Sequence, residues 1–329
     1  MPELNVDTDG AGQRLDRFLQ KIMPGMHRGH LFKMLRTRKV RVNGKRARGE
    51  LRLAKGDRIT LHMDPALFEE DTQRKAPQGN RIDFGVVHED KHLLVVNKPP
   101  MLAVHPGAGH DSNSLIDQIH TYLEVDDRPT SFRPSLAHRL DKDTSGLIMV
   151  GKDAETLRRL SKMFQARDLT KKYLALVPGR FRQRNGVWEM EVERKDVPGS
   201  RKSNKPPSRG RKDKTGTTAW RVGVERRLKI PDYKTLPLTL LVLTLLTGRT
   251  HQIRSHLLQA GHPIVGDPRY GDRDLNRLLK RHFALKRQFL HAYRLNLKHP
   301  ITNKDLKLSA PYPADLLPLV QAMRLGVPA

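Results

Sequence analysis

No cysteine occurs in this chain of 329 residues. That excludes disulfides, thiol catalysis and thiolate-held metals. It fits a reducing compartment, and a cytoplasmic location is expected. Aromatic residues are scarce, at 5%, and no basic amphipathic stretch carries an aromatic face, so an anionic membrane is a poor partner. Long apolar runs are missing as well. The longest, Leu236 to Leu246, reaches about half of the ~20 residues a membrane helix needs. Its Pro237, Thr239 and Thr244 mark it instead as a buried strand. The opening residues, Met1 to Asp7, lack the basic-then-apolar order of a signal peptide. Acid is in deficit: 62 Lys and Arg stand against 35 Asp and Glu, a formal charge of +27. An excess of one sign this large favours a polyphosphate partner.

The charge is concentrated near the start. Residues 14–58 hold fifteen Lys/Arg and three Asp/Glu, +12 of the total. The same stretch has order. Leu15, Phe18, Leu19 and Ile22 follow the i, i+3, i+4, i+7 spacing of an amphipathic helix. Pro24 and Gly25 end it. Leu31, Met34 and Leu35 predict a second helix. Val40-Arg41-Val42 then meets Asn43-Gly44, a two-residue hairpin signal. Gly56-Asp57 precedes a strand at Arg58–Leu61. Residues 12–63 read as a small RNA-binding module, with Arg36, Arg38, Lys39, Arg41 and Lys45 as phosphate contacts. Residues 64–80 read as a linker.

From 81 to 325 the pattern is that of a larger mixed domain. Short strands are expected at Val86-Val87, Leu93–Val96, Leu147–Val150 and Tyr173–Val177. Val187 to Val192 alternates, and longer strands are expected at 217–225, 236–246 and 289–298. Helices are expected from Leu115 to Leu123, after an Asp153 N-cap, at 251–260 with Gly261 as stop, at 274–283 and at 315–324. Residues 199–216 carry seven Lys/Arg and one acid among Pro, Gly and Ser. They read as a basic flexible loop.

Common cofactor motifs fail. Gly146 to Lys152 spells G-x-x-x-x-G-K, but Asp153 replaces the Ser or Thr a phosphate loop needs, and the middle is a strand. No G-x-G-x-x-G opens a helix. His251 and His256 are not at metal-ligand spacing. Asp141 and Asp143 form the best metal pair, but Arg139 and Lys142 would repel a cation. No metal and no cofactor are expected.

Three segments stand out. His138-Arg139-Leu140-Asp141-Lys142-Asp143-Thr144-Ser145-Gly146 is a polar loop running into a strand. Lys171-Lys172-Tyr173-Leu174-Ala175-Leu176 is a strand with one tyrosine. Thr247-Gly248-Arg249-Thr250-His251-Gln252-Ile253-Arg254 is a turn opening a helix, with His251 and Arg254 on one face. Singly they suit a cap, a core aromatic and a surface helix. Jointly they suggest an enzyme that works on RNA with one aspartate.

The three segments, in this order, resemble the signature motifs of the RluA family of RNA pseudouridine synthases. Asn97-Lys98-Pro99, Val104-His105-Pro106-Gly107, Gly261–Asp267 and Leu290-His291-Ala292 are similar to further pieces of that family. The front module resembles the ribosomal-protein-type αL RNA-binding domain, and the layout is similar to the RluC and RluD branches, which modify large-subunit (23S) ribosomal RNA. The resemblance implies an α+β fold: the αL domain, then a catalytic domain with a mixed, largely antiparallel central sheet flanked by helices. It implies that Asp141 is the catalytic aspartate, that Tyr173 packs on the target uracil and is placed to move its proton, and that Arg254 is the basic residue that pairs with Asp141; a bidentate guanidinium pair is expected there. It implies that Arg139 helps to flip the target base, with His138, Arg249 and His251 as further RNA contacts. Isomerising uridine to pseudouridine involves no redox change and no group donor, so no cofactor is needed; ribosomal RNA is the expected partner, and a monomer is expected. Two other readings fit parts of the pattern: a non-catalytic ribosome-assembly factor, and a metal-dependent RNA nuclease using Asp141 and Asp143.

Overall fold

The computed structural model describes residues 1–23, 26–72, 81–106, 113–125, 132–192, 215–231, 233 and 235–326. The first unit begins with β1 (Glu3–Asn5), α1 (Leu15–Ile22) and α2 (Arg28–Arg36). It continues with β2 (Val40–Val42), β3 (Lys45–Arg46), β4 (Arg58–Leu61) and α3 (Pro65–Thr72). The helix pair forms where the periodicity placed it. Leu15, Phe18, Leu19 and Ile22 of α1 bury against Leu31, Met34 and Leu35 of α2 and against Val40, Ile59 and Leu61. Asn43 and Gly44 both adopt positive φ, 51° and 73°, the backbone a two-residue hairpin demands. The strands lie in the order β1-β4-β2-β3. β1 carries no periodic signal, because three residues are too few to show one. Residues 64–80 are not all linker: α3 takes up Pro65–Thr72, and residues 73–80, like Pro24-Gly25, fall outside the described residues.

The second unit runs β5 (Gly85–Glu89), β6 (Leu93–Lys98), α4 (Leu115–Tyr122), β7 (Ser135–Leu136), β8 (Ser145–Gly151), α5 (Ala154–Ala166) and β9 (Leu169–Pro178). It goes on through β10 (Asn185–Glu191), β11 (Thr215–Leu228), β12 (Leu236–Leu245), α6 (Gln252–Gln259) and α7 (Arg273–Phe283). β13 (Leu290–Lys298), β14 (Asp305–Ser309), a 3₁₀ turn (Ala314–Leu316) and α8 (Leu317–Ala322) close it. One sheet has the order β10-β11-β12-β9-β13-β8-β6-β5, with β14 beside β13 and β7 beside β8. Its pairings are antiparallel except β13–β8, which is parallel. Thr215 and Gly216, expected in the basic loop, instead begin β11; the remainder of that loop lies outside the described residues.

The continuous apolar runs follow from burial on both sheet faces. Leu94 and Val96 of β6 and Ile148 and Val150 of β8 face one core, with Leu115, Ile253, Leu257 and Leu279 of the helices. Leu93, Val95, Leu147 and Met149 face the other, under Leu160 of α5. Side chains alternate across the sheet, so both sets of a run are hidden. Every residue of β8 is buried. Gly146 near its start has φ 117°, and a Cβ there would lie 2.2 Å from the Ala292 carbonyl oxygen. Only glycine allows the β8–β13 approach at this point. No helix among the described residues is long and apolar enough to cross a membrane.

Candidate active site

The loop between β7 and β8 carries Asp141, and buried cations shape it. Lys98, at the end of β6 and fully buried, donates to the carbonyls of Pro99 (2.7 Å), Leu102 (3.0 Å) and Lys142 (2.8 Å). Burial and the Arg287 guanidinium pull Lys98 down to about 7, while Asp143 and Asp141 pull the other way. Arg287 donates to the Asp143 carbonyl (3.0 Å) and the Ser145 hydroxyl (3.1 Å) and is paired with Asp315 at 2.6 Å. His291 Nδ1 lies 3.0 Å from the same hydroxyl. Sequence reasoning noted Lys98 and His291 only within family-like pieces and passed over Arg287. Nothing in the local pattern marks an arginine whose targets, a carbonyl and a serine hydroxyl, lie more than 140 positions away.

The loop's dependence on Lys98 gives a first expectation. Lys98→Met should lower stability by about 2–4 kcal/mol, because three buried carbonyls lose a charged donor. Turnover should fall with it, since Lys142 is bonded next to Asp141. Urea unfolding of the full chain checks this; an unchanged midpoint would mean the carbonyls find other donors.

Arg254, in the first turn of α6, reaches Asp141. Its Nη1 donates to Asp141 Oδ2 at 3.0 Å. The expected bidentate pair exists, but with a different carboxylate. Nε and Nη2 of Arg254 donate to Oδ2 and Oδ1 of Asp267 at 2.7 and 2.8 Å. Asp267 is fully buried, and its Oδ1 also accepts the Arg269 and Tyr270 amides at 2.9 and 3.0 Å. A guanidinium is planar with five N–H donors; Asp267 takes the Nε–Nη2 edge, leaving Nη1 for Asp141. Burial opposes the charge on Arg254, but Asp267 and Asp141 outweigh it and raise its pKa. The sequence contained Asp267 in the piece ending Gly266-Asp267 and gave it no role.

The start of α6 is fixed from β11 and from the turn that precedes it. Gln252 Nε2 donates to the Thr217 carbonyl (3.0 Å) and the Thr218 hydroxyl (2.9 Å), and its Oε1 accepts the Arg249 amide at 3.0 Å. His251 turns the chain at φ 61°. Its Nδ1 lies 3.1 Å from the Tyr270 hydroxyl, and its Nε2 lies 3.9 Å from Asp141 Oδ2. Burial lowers its pKa, with Asp141 acting against that.

Tyr173 stands in the middle of β9, in register with Leu243 on one side and Ala292 on the other. It is buried, and burial together with Asp141 raises its pKa, so it stays a neutral phenol. Asp141, Tyr173, His251 and Arg254 line a hollow of about 50 Å³. Arg139 and Arg249 are exposed at its rim. His138 does otherwise than expected. Its Nε2 accepts the Met149 amide at 3.2 Å, and burial holds its pKa well below the ordinary value. A neutral ring bonded to β8 fastens the loop and offers no charge to a phosphate. Arg36, Arg38, Lys39, Arg41 and Lys45 are all exposed, on the end of α2 and the β2–β3 hairpin.

Metal chemistry meets charge and tautomer objections. Arg254 already occupies Asp141 Oδ2, and Asp143 feels the Lys98 ammonium, so a divalent ion between the two aspartates would face fixed cations. Elsewhere His88, Asp90 and His299 offer ligand atoms within 4.8 Å of one another. However, His299 Nδ1 accepts the Ile301 and Thr302 amides at 3.2 and 2.9 Å. Its Nε2 therefore keeps a proton and faces Asp90 at 3.0 Å. A protonated nitrogen is no ligand.

This geometry is met in a chain with many relatives. Residues 92–259 match the family described as RNA pseudouridylate synthase. The chain is 34% identical to "Ribosomal large subunit pseudouridine synthase C" of Escherichia coli (strain K12), across 97% of this chain and 95% of that protein. The same-named protein of Vibrio cholerae is 34% identical across 98% and 96%. Among solved structures, human RNA Pseudouridylate Synthase Domain Containing 4 superposes with a TM-score of 0.55 at 27% identity, over 74% of this chain and 95% of that one. The chain belongs to the RNA pseudouridylate synthase family.

Proposed function

We propose that this protein isomerises uridines of large-subunit ribosomal RNA to pseudouridine, with Asp141 acting on the ribose. The observation that carries this reading is the contact of Asp141 with Arg254 beneath Tyr173, in a chain similar along almost its whole length to large-subunit synthases of the C type. In the reaction the N1–C1′ bond breaks, uracil turns, C5 bonds to C1′, and a proton moves from C5 to N1. Glycosidases usually need a second carboxylate for the leaving oxygen. Uracil delocalises its own leaving charge, so one carboxylate suffices, as nucleophile at C1′ or base at C2′. Arg254 aims that carboxylate, and Asp267 aims Arg254. Tyr173 presents a flat, neutral ring to uracil; its phenol accepts the C5 proton only while passing its own on. Arg139 and Arg249 at the rim hold the flipped strand, and Tyr173 stacking offsets the few kcal/mol of unstacking. The protein acts in the cytoplasm as a monomer, and no step requires a metal or cofactor. The test is pseudouridine mapping in ribosomal RNA from cells lacking the protein. Loss of no large-subunit pseudouridine would end the reading.

The first unit serves affinity, as an αL-type RNA-binding domain. It carries Arg36, Arg38, Lys39, Arg41 and Lys45 exposed on one helix end and hairpin, and none of its described residues lines the hollow. Neutralising Arg36, Arg38, Lys39, Arg41 and Lys45 to Gln should make the dependence of log affinity on log salt shallower by up to about 4, at ~0.7–0.9 per phosphate contact. Single-turnover chemistry at saturating RNA should persist. A salt titration of ribosomal RNA binding checks this. An unchanged slope would show that these side chains do not touch the backbone.

A further inference from the structure

Beside the hollow at Asp141 lies a larger cavity of about 380 Å³. Arg139, Arg167, Lys171 and Arg249 line it against one carboxylate, Asp141, which Arg254 already engages. Lys171 and Tyr173 are two apart on β9 and so project from the same sheet face. Tyr173 borders both spaces, and Lys171 borders only the larger. Among the described residues no carboxylate forms an ion pair with Lys171. Its Nζ sits instead 4.4 Å from the ring centroid of Phe164, on α5. An ammonium withdrawn from water and held by a ring rather than an acid is under-compensated. An anion entering the cavity relieves that cost.

We propose that this cavity receives the nucleotide adjoining the target uridine, and that Lys171, steadied by Phe164, binds a backbone phosphate flanking the target. The proposal rests on Asp141 marking the place of the target ribose. The cavity volume lies in the range of small-molecule sites, and its lining has the charge a phosphodiester needs. A phosphate held there fixes the sugar over Asp141, which makes Lys171 a positioning residue.

The charge of Lys171 can be followed by pH. Facing it are His138, Arg139 and Asp141 from the β7–β8 loop, Phe164 and Arg167 from α5, and Thr247 and Arg249 from the turn before α6. Burial keeps His138 neutral, Tyr173 remains a phenol, and the arginines stay charged. Lys171 itself is pulled down to about 8 by burial. It is a cation below that pH and neutral above it, so its hold on phosphate should be present at pH 7 and lost by pH 9. The second ionisation of a phosphate monoester is near 6, so the phosphates keep their charge across this window, and ionisation of the uracil ring is shared by uridine and the bisphosphate.

The experiment uses the full chain and compares binding of uridine with uridine 3′,5′-bisphosphate by calorimetry. The phosphates should improve wild-type affinity about tenfold at pH 7, the scale of one charge-assisted hydrogen bond, and that gain should fade towards pH 9. Lys171→Met should lack the gain at both values. Lys171→Arg should keep it at both, because a guanidinium does not titrate there. Should the Met variant misfold, the contrast between wild type and Lys171→Arg still decides. A gain that survives in Lys171→Met, one that fades equally in Lys171→Arg, or no binding of the bisphosphate by wild type overturns the assignment. These readings need no turnover, so they stand apart from the pseudouridine mapping that tests the reaction itself.

Discussion

Asp141→Asn should leave an enzyme that binds ribosomal RNA almost as before and makes no pseudouridine. Binding rests on phosphate contacts spread over many cations, and Asp141 is one half-buried carboxylate among them. In the proposed reaction, chemistry rests on that carboxylate alone. Removing a nucleophile or essential base costs on the order of 10⁴-fold or more in turnover. Stability should change little, because Arg254 keeps its two bonds to Asp267 when Nη1 loses Asp141. An amide oxygen in the same place still accepts a hydrogen bond but neither attacks C1′ nor takes a proton from C2′. The measurement is single-turnover conversion on a ribosomal RNA fragment, with affinity measured in parallel and wild type repeated in EDTA. Conversion by the variant near the wild-type rate would remove Asp141 from the chemistry. Loss of wild-type activity in EDTA would restore the metal reading.

Much of this site is legible in the sequence because its parts are local. The loop 138–146, the strand at 171–176 and the turn at 247–254 each announce themselves by spacing and residue type. The fold was legible for the same reason: Leu93–Val96 and Leu147–Val150 are continuous apolar runs, as strands covered on both faces must be. β1, β7 and β14 were missed because strands this short, or at an edge, carry too few alternations to count. α3 was missed because Pro65, Glu69, Glu70 and Asp71 look like linker composition, although Pro suits the first helical position.

What the sequence withheld are the long-range partners. Lys98 and Arg287 act on backbone carbonyls of the Asp141 loop from distant elements, and a carbonyl leaves no trace in residue type. His138 reads as a basic loop residue, and only burial shows it to be a neutral peg. Asp267 reads as a turn acid, and only the fold brings it under Arg254.

That last partnership sets the second large effect. Arg254→Ala should cost about 3–5 kcal/mol of stability as well as turnover, because it strands Asp267 as a fully buried, unpaired carboxylate. The carboxylate would keep the Arg269 and Tyr270 amides but lose the guanidinium that binds both its oxygens. Arg254→Lys should recover part of the stability and little of the rate, since one compact ammonium cannot hold Asp267 in a fork and direct a third donor at Asp141. The double variant Arg254→Met with Asp267→Leu separates the two roles. Apolar side chains of similar size remove both charges together, and buried ion pairs so replaced are often neutral or better for stability. This variant leaves the Arg269 and Tyr270 amides without their acceptor, so it should unfold below wild type but above Arg254→Ala, and remain inactive, with RNA affinity close to normal. Urea unfolding and single-turnover conversion on the same three proteins provide the check. A stable and active Arg254→Ala, or a double variant as unstable as the single one, would show that Asp267 does not hold Arg254 in place for the reaction.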